Sequence, residues 1–409
     1  MILVIGGGPA GCMAALSAAK QGAPVILLEQ NEKIGKKWYI TGKGRCNLTN
    51  DADMSMHLSH IRRNPKFLMG AFARYTKEDI KRFFISCGVA VKTERGERVF
   101  PVSDKSSDTI SAFQRALKEA GVQILLNTKV DQIEKKEDYF TVQAKGKEYR
   151  ARAVIIATGG LSYPVTGSTG DGYRWAKHFG HRIKPLYPSL VGLNLLHPYP
   201  DLSGLSLRNI RLEAKWGKKA KEWFGELLFT HYGISGPVVL QMSAEAPVPF
   251  AAFPLYLNFK PALHAEQLSA RIQREVDKDP LKEIGTIANR LLPQSLVPHV
   301  IRAAGIDPKT RGAVFTAKDR RKLTDTLLHF PLDVGSFRGF SEAIITRGGV
   351  FVQEVDAKSM QSKKVEGLYF CGEVLDIDAD TGGYNMQIAW STGFVAGTHA
   401  AGFGKEANE

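Results

Sequence analysis

Apolar and polar positions along this 409-residue chain fall into several distinct patterns. Residues 1–5 (MILVI), 24–28 (PVILL) and 152–160 (RAVIIATGG) are apolar runs without polar alternation, as expected of strands buried on both faces of a parallel sheet. An Ala-rich helix over residues 9–21, stopped by Gly22, joins the first two. Helical spacing with a basic outer face covers residues 64–86, and an amphipathic helix over 107–120 ends at Gly121. Residues 88–102 read as a hairpin with RGER at its turn. Residues 122–126 and 139–150 read as a β-meander turning at KGKE. A Gly/Ser/Thr loop then runs into a helix over 161–180.

The pattern changes near Pro188. Residues 189–260 alternate over short runs broken by Pro and Gly, which predicts an inserted all-β domain, a barrel, with residues 227–243 a loop leading into a helix. From residue 262 the spacing becomes helical, with helices near 265–277, 281–291, 294–304 and 317–328. Strand-like runs return at 344–352 and 367–372, and a helix starts near Asn385. The expected organisation is α/β. A discontinuous first domain (1–188 and 344–409) is split by a β-barrel (189–261 and 329–343), and a small helical subdomain (262–328) is nested in the barrel.

The chemistry concentrates at the turn after the first strand. Gly6, Gly8 and Gly11 stand in GxGxxG spacing, Pro9 and Ala10 open the helix, and Glu29 ends the second strand 18 residues past Gly11. Gly6 suits a tight turn, Gly8 the approach of a pyrophosphate, Gly11 close helix–strand packing and Glu29 a ribose 2′-hydroxyl. The helix N-terminus adds N–H groups and a partial positive charge. An ordinary Gly-rich crossover is the bland alternative, but strand, turn, helix, strand and terminal acid occur here in order. The ATGG turn after the third strand (Ala157, Thr158, Gly159) is typical of two-sheet nucleotide folds that carry FAD rather than NAD, which implies a glutathione-reductase-like Rossmann domain.

Residues 31–50 carry three glycines and five Lys/Arg without periodicity, and a long loop of this kind is more often functional than idle. Its expected course is along the cofactor towards the flavin, with Lys37, Gly42, Gly44, Arg45 and Cys46 on the cofactor side; Gln30 and Val130 are expected at the nucleotide end. The second half-site is expected at Gly372 and Glu373, with Glu373 on the ribityl chain or pyrophosphate, and at Gly382, Gly383, Tyr384 and Asn385. The N–H groups at 383–386 would face flavin N1 and O2, where negative charge gathers on reduction. No second GxGxxG occurs, so NAD(P)H is expected only as a transient visitor.

Charge and cysteine usage narrow the class. Lys and Arg number 55 against 41 acids, a formal +14, which favours a polyanionic partner, although many basic proteins bind no nucleic acid. Residues 33–45 and the cluster Lys309, Arg311, Lys318, Arg320, Arg321, Lys322 are the basic stretches, and such runs are usually solvated faces. Four scattered cysteines without a CxxC pair argue against a metal site and for a reduced, cytoplasmic protein. No apolar stretch reaches 18 residues and the start lacks a basic region, so neither membrane span nor signal peptide is expected. The opening strand begins at Met1 itself, which suggests that a few natural residues precede it.

GGGPAG near the start, GKGRCNLTN at 42–50, THYGISGP at 230–237, TRGGV at 346–350 and GEVLDIDADTGGYNMQIAWSTG at 372–393 resemble the BaiN/YhiN-type bacterial flavoproteins over the whole chain. Lys43 stands where the family pattern has a glycine. The resemblance implies a discontinuous FAD domain with barrel and helical insertions and an NAD(P)/FAD-dependent oxidoreductase. Some relatives are tied to steroid or aminoacetone chemistry and others to dihydrouridine synthesis in large-subunit ribosomal RNA.

Three functions follow as expectations. The favoured one is reduction of a ribosomal RNA uridine, hydride passing from reduced flavin N5 to uracil C6 and a proton to C5 from an acid. The base must then be unpaired or flipped out. Cys46 is the candidate acid, since an ordinary thiol (pKa about 8.5) is protonated at neutral pH, while Arg45 beside it would lower that pKa. Alternatively Cys46 merely packs beneath the flavin. Cys12 and Cys371 read as core residues and Cys87 gives no signal. His231 is either near the flavin face or structural, and Trp38, Tyr39, Tyr163 and Tyr384 either stack on a base or wall in the cofactor. The second function is a small-molecule oxidoreductase acting on an enone or amine. The third is a non-catalytic RNA-binding flavoprotein. No stable protein partner is expected.

Overall fold

The strand after the opening residue, Ile2–Ile5, lies at the centre of a five-stranded parallel sheet in the computed structural model, which describes residues 1–216 and 219–403. The order across the sheet is Leu368–Phe370, Ala153–Ile156, Ile2–Ile5, Val25–Leu28 and Gln123–Leu125. Ile2–Ile5, Val25–Leu28 and Ala153–Ile156 are wholly buried, which is what their lack of alternation predicts. The chain forms two units, one of Met1–Ser189 with the chain from Phe340 onward, the other Leu190–Gly339.

In the first unit one expectation is corrected. Residues 122–126 do not join the meander. Gln123–Leu125 adds a fifth parallel strand beside Val25–Leu28, and the meander is instead Val130–Lys135, Phe140–Ala144 and Lys147–Ala151. A register shift between Val130 and Gln132 breaks the period-two pattern of its first strand, which hid it from the sequence. The helical stretch 64–86 is two helices, Pro65–Arg74 and Lys77–Ser86, because Thr76 and Asp79 form a capping box that starts a new helix. Ile345–Val350 pairs antiparallel with Ile183–Ser189, outside the parallel sheet.

The last helix, Tyr384–Gly402, returns to the beginning of the chain and packs on the first helix, Pro9–Lys20. A Cβ on Gly393 would lie 2.3 Å from the Ala10 carbonyl oxygen, and one on Gly397 would lie 2.1 Å from that of Ala14. The two helices therefore touch backbone to backbone.

The second unit is a closed six-stranded barrel, ordered Leu193–Leu195, Gly233–Ser235, Lys219–Thr230, Ser206–Trp216, Pro254–Asn258 and Phe330–Phe337. Between the last two strands in sequence lie helices Ala265–Lys278, Ile284–Ala288, Val297–Ala303 and Ala317–Leu328. The middle pair is shorter than the spacing suggests, and the second of the two follows a 3-10 turn at Gln294–Leu296. Barrel residues Leu212 and Leu257 share one apolar core with Leu268, Ile272 and Leu327 of these helices. His231 and Tyr232 are exposed in the turn before Gly233–Ser235. Of the basic cluster, Arg320 is tied to Ser269 and Gln273, whereas Lys309, Arg311, Lys318 and Arg321 are exposed.

Candidate active site

The GxGxxG turn leaves the sheet at Gly6, and Gly8 becomes the N-cap of Pro9–Lys20 without a side-chain capping bond. A Cβ on Gly11 would lie 1.9 Å from the Gly6 carbonyl oxygen, so the helix sits against the turn as closely as its spacing predicts. A Cβ on Gly8 would meet nothing within 4 Å, and Gly8, Pro9 and Ala10 line a cavity of about 1030 Å³. The first-turn N–H groups thus have room for an anion. Glu29 forms part of the same wall. Its Oε2 accepts the Gly7 N–H at 2.6 Å, and its Oε1 accepts the backbone and side-chain N–H groups of Asn31 at 2.8 and 2.6 Å. Burial pushes its carboxyl upward in pKa while those hydrogen bonds oppose the shift. Gln30 donates to the Gly167 carbonyl at 2.6 Å, and Thr128, Val130, Ala157, Thr158 and Gly159 complete this end.

The other end is built from the chain's last segment. Gly383, with φ +103°, is the N-cap of Tyr384–Gly402, again without a side-chain cap; a Cβ there would lie 2.3 Å from the Thr49 carbonyl oxygen. Asn50 donates to the Gly382 carbonyl at 2.9 Å. Asn385 brackets Ala379, accepting its N–H at 2.9 Å and donating to its carbonyl at 2.7 Å. Gly382, Gly383, Tyr384 and Asn385 all line the cavity, so a second helix N-terminus opens onto it. Between the two ends Lys37 donates to Glu373 at 2.6 Å, and the other carboxylate oxygen of Glu373 accepts the Thr346 N–H at 3.0 Å.

The cavity slightly exceeds the upper end of ordinary ligand sites, about 300–1,000 Å³. Three residues on its wall carry a buried polar atom with no partner among the described residues: Asn47 Oδ1, Thr158 Oγ1 and Trp175 Nε1. Buried polar groups are normally satisfied, so a ligand rich in donors and acceptors fits this wall. FAD meets that description; Glu29 and the first helix would hold its nucleotide end and residues 382–385 its flavin end. Bound FAD supplies two-electron redox chemistry.

The loop 31–50 departs from expectation at Cys46. Its side chain is fully buried, its Sγ accepts the Trp38 indole N–H at 2.9 Å, and it does not line the cavity. Burial pushes the thiol up to about 11, against hydrogen bonds from Trp38, Thr109 and Thr41. A thiol there cannot reach a substrate in the cavity, which corrects the expectation that Cys46 is the acid. Arg45 does line the cavity, paired with Glu94 and Asp104 and lying over the Phe100 ring at 4.2 Å. Gly42 faces the cavity, whereas Gly11, Gly44 and Gly372 shape the backbone around it without lining it. Trp38 is buried, edge-on to Trp390 at 5.2 Å, and lines the cavity together with Tyr163 and Tyr384, whereas Tyr39 is exposed. Cys12 and Cys371 are buried and Cys87 is half-buried. Among the described residues no group of His, Cys, Asp and Glu could hold a metal, and no helix is long and apolar enough to cross a membrane.

The sequence reading missed a polar cluster beside Tyr384. His60 lines the cavity; its Nδ1 lies 2.8 Å from Asp380 Oδ2, and its ring stacks on Tyr384 at 4.4 Å. Arg62 donates to both oxygens of Asp380 at 2.6 Å. Arg63 pairs with Asp378, and burial lowers the Arg347 guanidinium to about 10 and raises the carboxyls of Asp376 and Asp378. Alternating acids in DIDAD and paired arginines in HIRRN were the available signal, but they stand more than 300 residues apart.

A parallel sheet of this order, with a GxGxxG turn and two helix N-termini on one large cavity, defines an FAD-dependent oxidoreductase built on a Rossmann-type domain. The family described as HI0933-like protein Rossmann domain matches residues 1–399, and the chain belongs to it. It is 32% identical over 406 residues to a 3-dehydro-bile acid delta(4,6)-reductase of Clostridium scindens, covering 97% of this chain and 98% of that one. It is 32% identical over 401 residues to a ribosomal RNA dihydrouridine synthase of Haemophilus influenzae, covering 96% of each. Among solved structures, a 3-ketosteroid delta1-dehydrogenase from Sterolibacterium denitrificans shares the fold, with a TM-score of 0.50, 13% identity and coverage of 98% of this chain and 99% of that one.

Proposed function

We propose that this enzyme reduces an unpaired uridine of large-subunit ribosomal RNA to dihydrouridine in the cytoplasm, with NAD(P)H as the reductant. One observation carries the reading. The turn at 41–45 packs on the hairpin Val91–Glu94 and Arg98–Pro101, since Arg45 covers Phe100, and this lip exposes Lys43, Arg95 and Arg98 without an ion-pair partner among the described residues. Lys43 and Arg98 line the cavity, and Ile40 and Met56 beside them are large apolar residues left exposed. Cations at a lip hold phosphates outside while a flat base enters an apolar-edged mouth. The formal +14 of the chain favours the same substrate, and two relatives carry the name ribosomal RNA dihydrouridine synthase. With no second dinucleotide fingerprint, NAD(P)H docks transiently.

A second reading, reduction of a small enone, rests on the Clostridium scindens relative, whose identity to this chain is the same 32%. The two are separated by deleting the gene and quantifying dihydrouridine in purified large-subunit ribosomal RNA by nucleoside mass spectrometry. Loss of the nucleoside, restored by the wild-type gene, supports the RNA reading. An unchanged level refutes it and leaves the enone.

A further inference from the structure

The geometry points to His60 as the group that protonates the substrate carbon, held for that task by Asp380; the assignment rests on the uridine reading above. Reduction of uracil needs a hydride at C6 and a proton at C5. When the hydride arrives, the C5=C6 π bond breaks and its electron pair moves to C5, conjugated with the C4 carbonyl. A new C5–H bond then forms as an acid N–H or O–H bond breaks. The two electrons come from the reduced flavin, which NAD(P)H has reduced, and the acid recovers its proton from solvent.

Several acidic and basic groups near the flavin end of the cavity are committed elsewhere. Cys46 is sealed beneath the loop on Trp38. Arg45 is held by Glu94 and Asp104, and Lys37 by Glu373. The phenols of Tyr163 and Tyr384 are made weaker acids by burial. Glu29 is committed to Gly7 and Asn31 at the nucleotide end.

His60 differs from all of these. Its side chain is one-third exposed and lines the cavity, and its partner Asp380 stands two positions before Gly382 in the chain. Nδ1 is occupied by Asp380 at 2.8 Å, and Nε2 has no protein partner among the described residues. A carboxylate on Nδ1 fixes that nitrogen as the N–H, so the proton exchanged with a substrate is the one on Nε2. Stacking on Tyr384 at 4.4 Å and an interplanar angle of 15° fixes the ring plane. Asp380 is itself only 2% exposed and is clamped by both Arg62 contacts, so it cannot swing away. The charged and titratable groups around the ring are Asp380, Arg62, Tyr384 and, one turn back on its own helix, His57. Asp380 is a positioning residue; His60 faces the substrate.

The test uses holoenzyme with its flavin reduced anaerobically by dithionite and mixed with large-subunit ribosomal RNA from the deletion strain. For wild type, the RNA reoxidises the flavin. For His60→Gln and His60→Ala, flavin content and melting temperature stay as in wild type, while reoxidation slows by roughly 10²–10⁴-fold. A readout independent of turnover is the ¹⁵N spectrum of the His60 ring, assigned by its loss in His60→Gln: the neutral ring is the Nδ1–H tautomer. Wild-type reoxidation rates in both variants, or a neutral ring with bare Nδ1, overturn the assignment and leave the uridine reading intact. Failure of the RNA to reoxidise even the wild-type flavin overturns the uridine reading and this assignment with it.

Discussion

Lys37 Nζ lies 2.6 Å from Glu373 Oε2 and joins the loop after the second strand to the turn after the last one, 336 residues away. The pair is partly buried, with side-chain exposures of 20% and 13%. Lys37→Ala leaves the carboxylate with only the Thr346 N–H and is expected to cost about 2 kcal/mol, more than Glu373→Gln, whose single amide oxygen keeps one of the two hydrogen bonds. A double-mutant cycle on thermal stability should return a coupling of about 1 kcal/mol or more. The flavin-to-protein absorbance ratio of each purified variant should fall in the same order.

Gly8 and Gly11 stand three residues apart and predict opposite failures. Gly11→Ala puts a methyl 1.9 Å from a carbonyl oxygen and should destabilise the protein with or without flavin, by about 3 kcal/mol. Gly8→Ala meets no protein atom, so the apoprotein should melt as wild type does while FAD affinity drops by about tenfold or more. Calorimetry of apoprotein and FAD titration separate the two. A stable Gly11→Ala protein would contradict the packing described above.

Cys46 is predicted to be inert as a thiol and structural in role. Native protein should react with a thiol reagent at Cys87 alone, the other three being buried. Cys46→Ser, which keeps an acceptor for the Trp38 N–H, should retain activity. Cys46→Ala strands that N–H and should cost about 1–3 kcal/mol.

Glu354 sets a pH dependence of stability. Burial alone would raise its carboxyl, but the Arg182 N–H and guanidinium and the Lys364 ammonium outweigh that and hold it at about 2. A carboxyl depressed in the folded state stabilises above its unfolded pKa, near 4.3, and loses that contribution as pH falls towards 2. Glu354→Gln should therefore melt below wild type at pH 7, by roughly 2–3 kcal/mol, and the gap should close between about pH 4.3 and 2.

If the lip at residues 43–98 holds phosphates, replacing Lys43, Arg95 and Arg98 with Ala should flatten the plot of log affinity against log salt by about 0.7–0.9 per side chain. RNA binding measured at several salt concentrations would give an unchanged slope if these side chains lie off the path.

The half of the site built locally was legible: strand, glycines, helix and Glu29 lie within 29 residues, and each reports its neighbour. The aromatic and ionic work was not. Trp38 and Cys46 looked alike to the sequence as members of a glycine-rich loop, and only the burial of Trp38 against Trp390 explains why the thiol beside it turns inward. His60 was invisible because its partner Asp380 lies 320 residues away. The Thr76–Asp79 capping box, by contrast, could have been read from TKED.

The backbone contact between Gly393 and Ala10 has a consequence in time. The phosphate-binding turn at Gly6–Gly11 leaves the ribosome long before the helix Tyr384–Gly402 that packs on it. At roughly 5–20 residues per second, the interval is on the order of 20–70 s. Throughout it the nascent chain holds a nucleotide cradle with no far wall. A chain released before Tyr384 is therefore expected to hold FAD less tightly than the full chain.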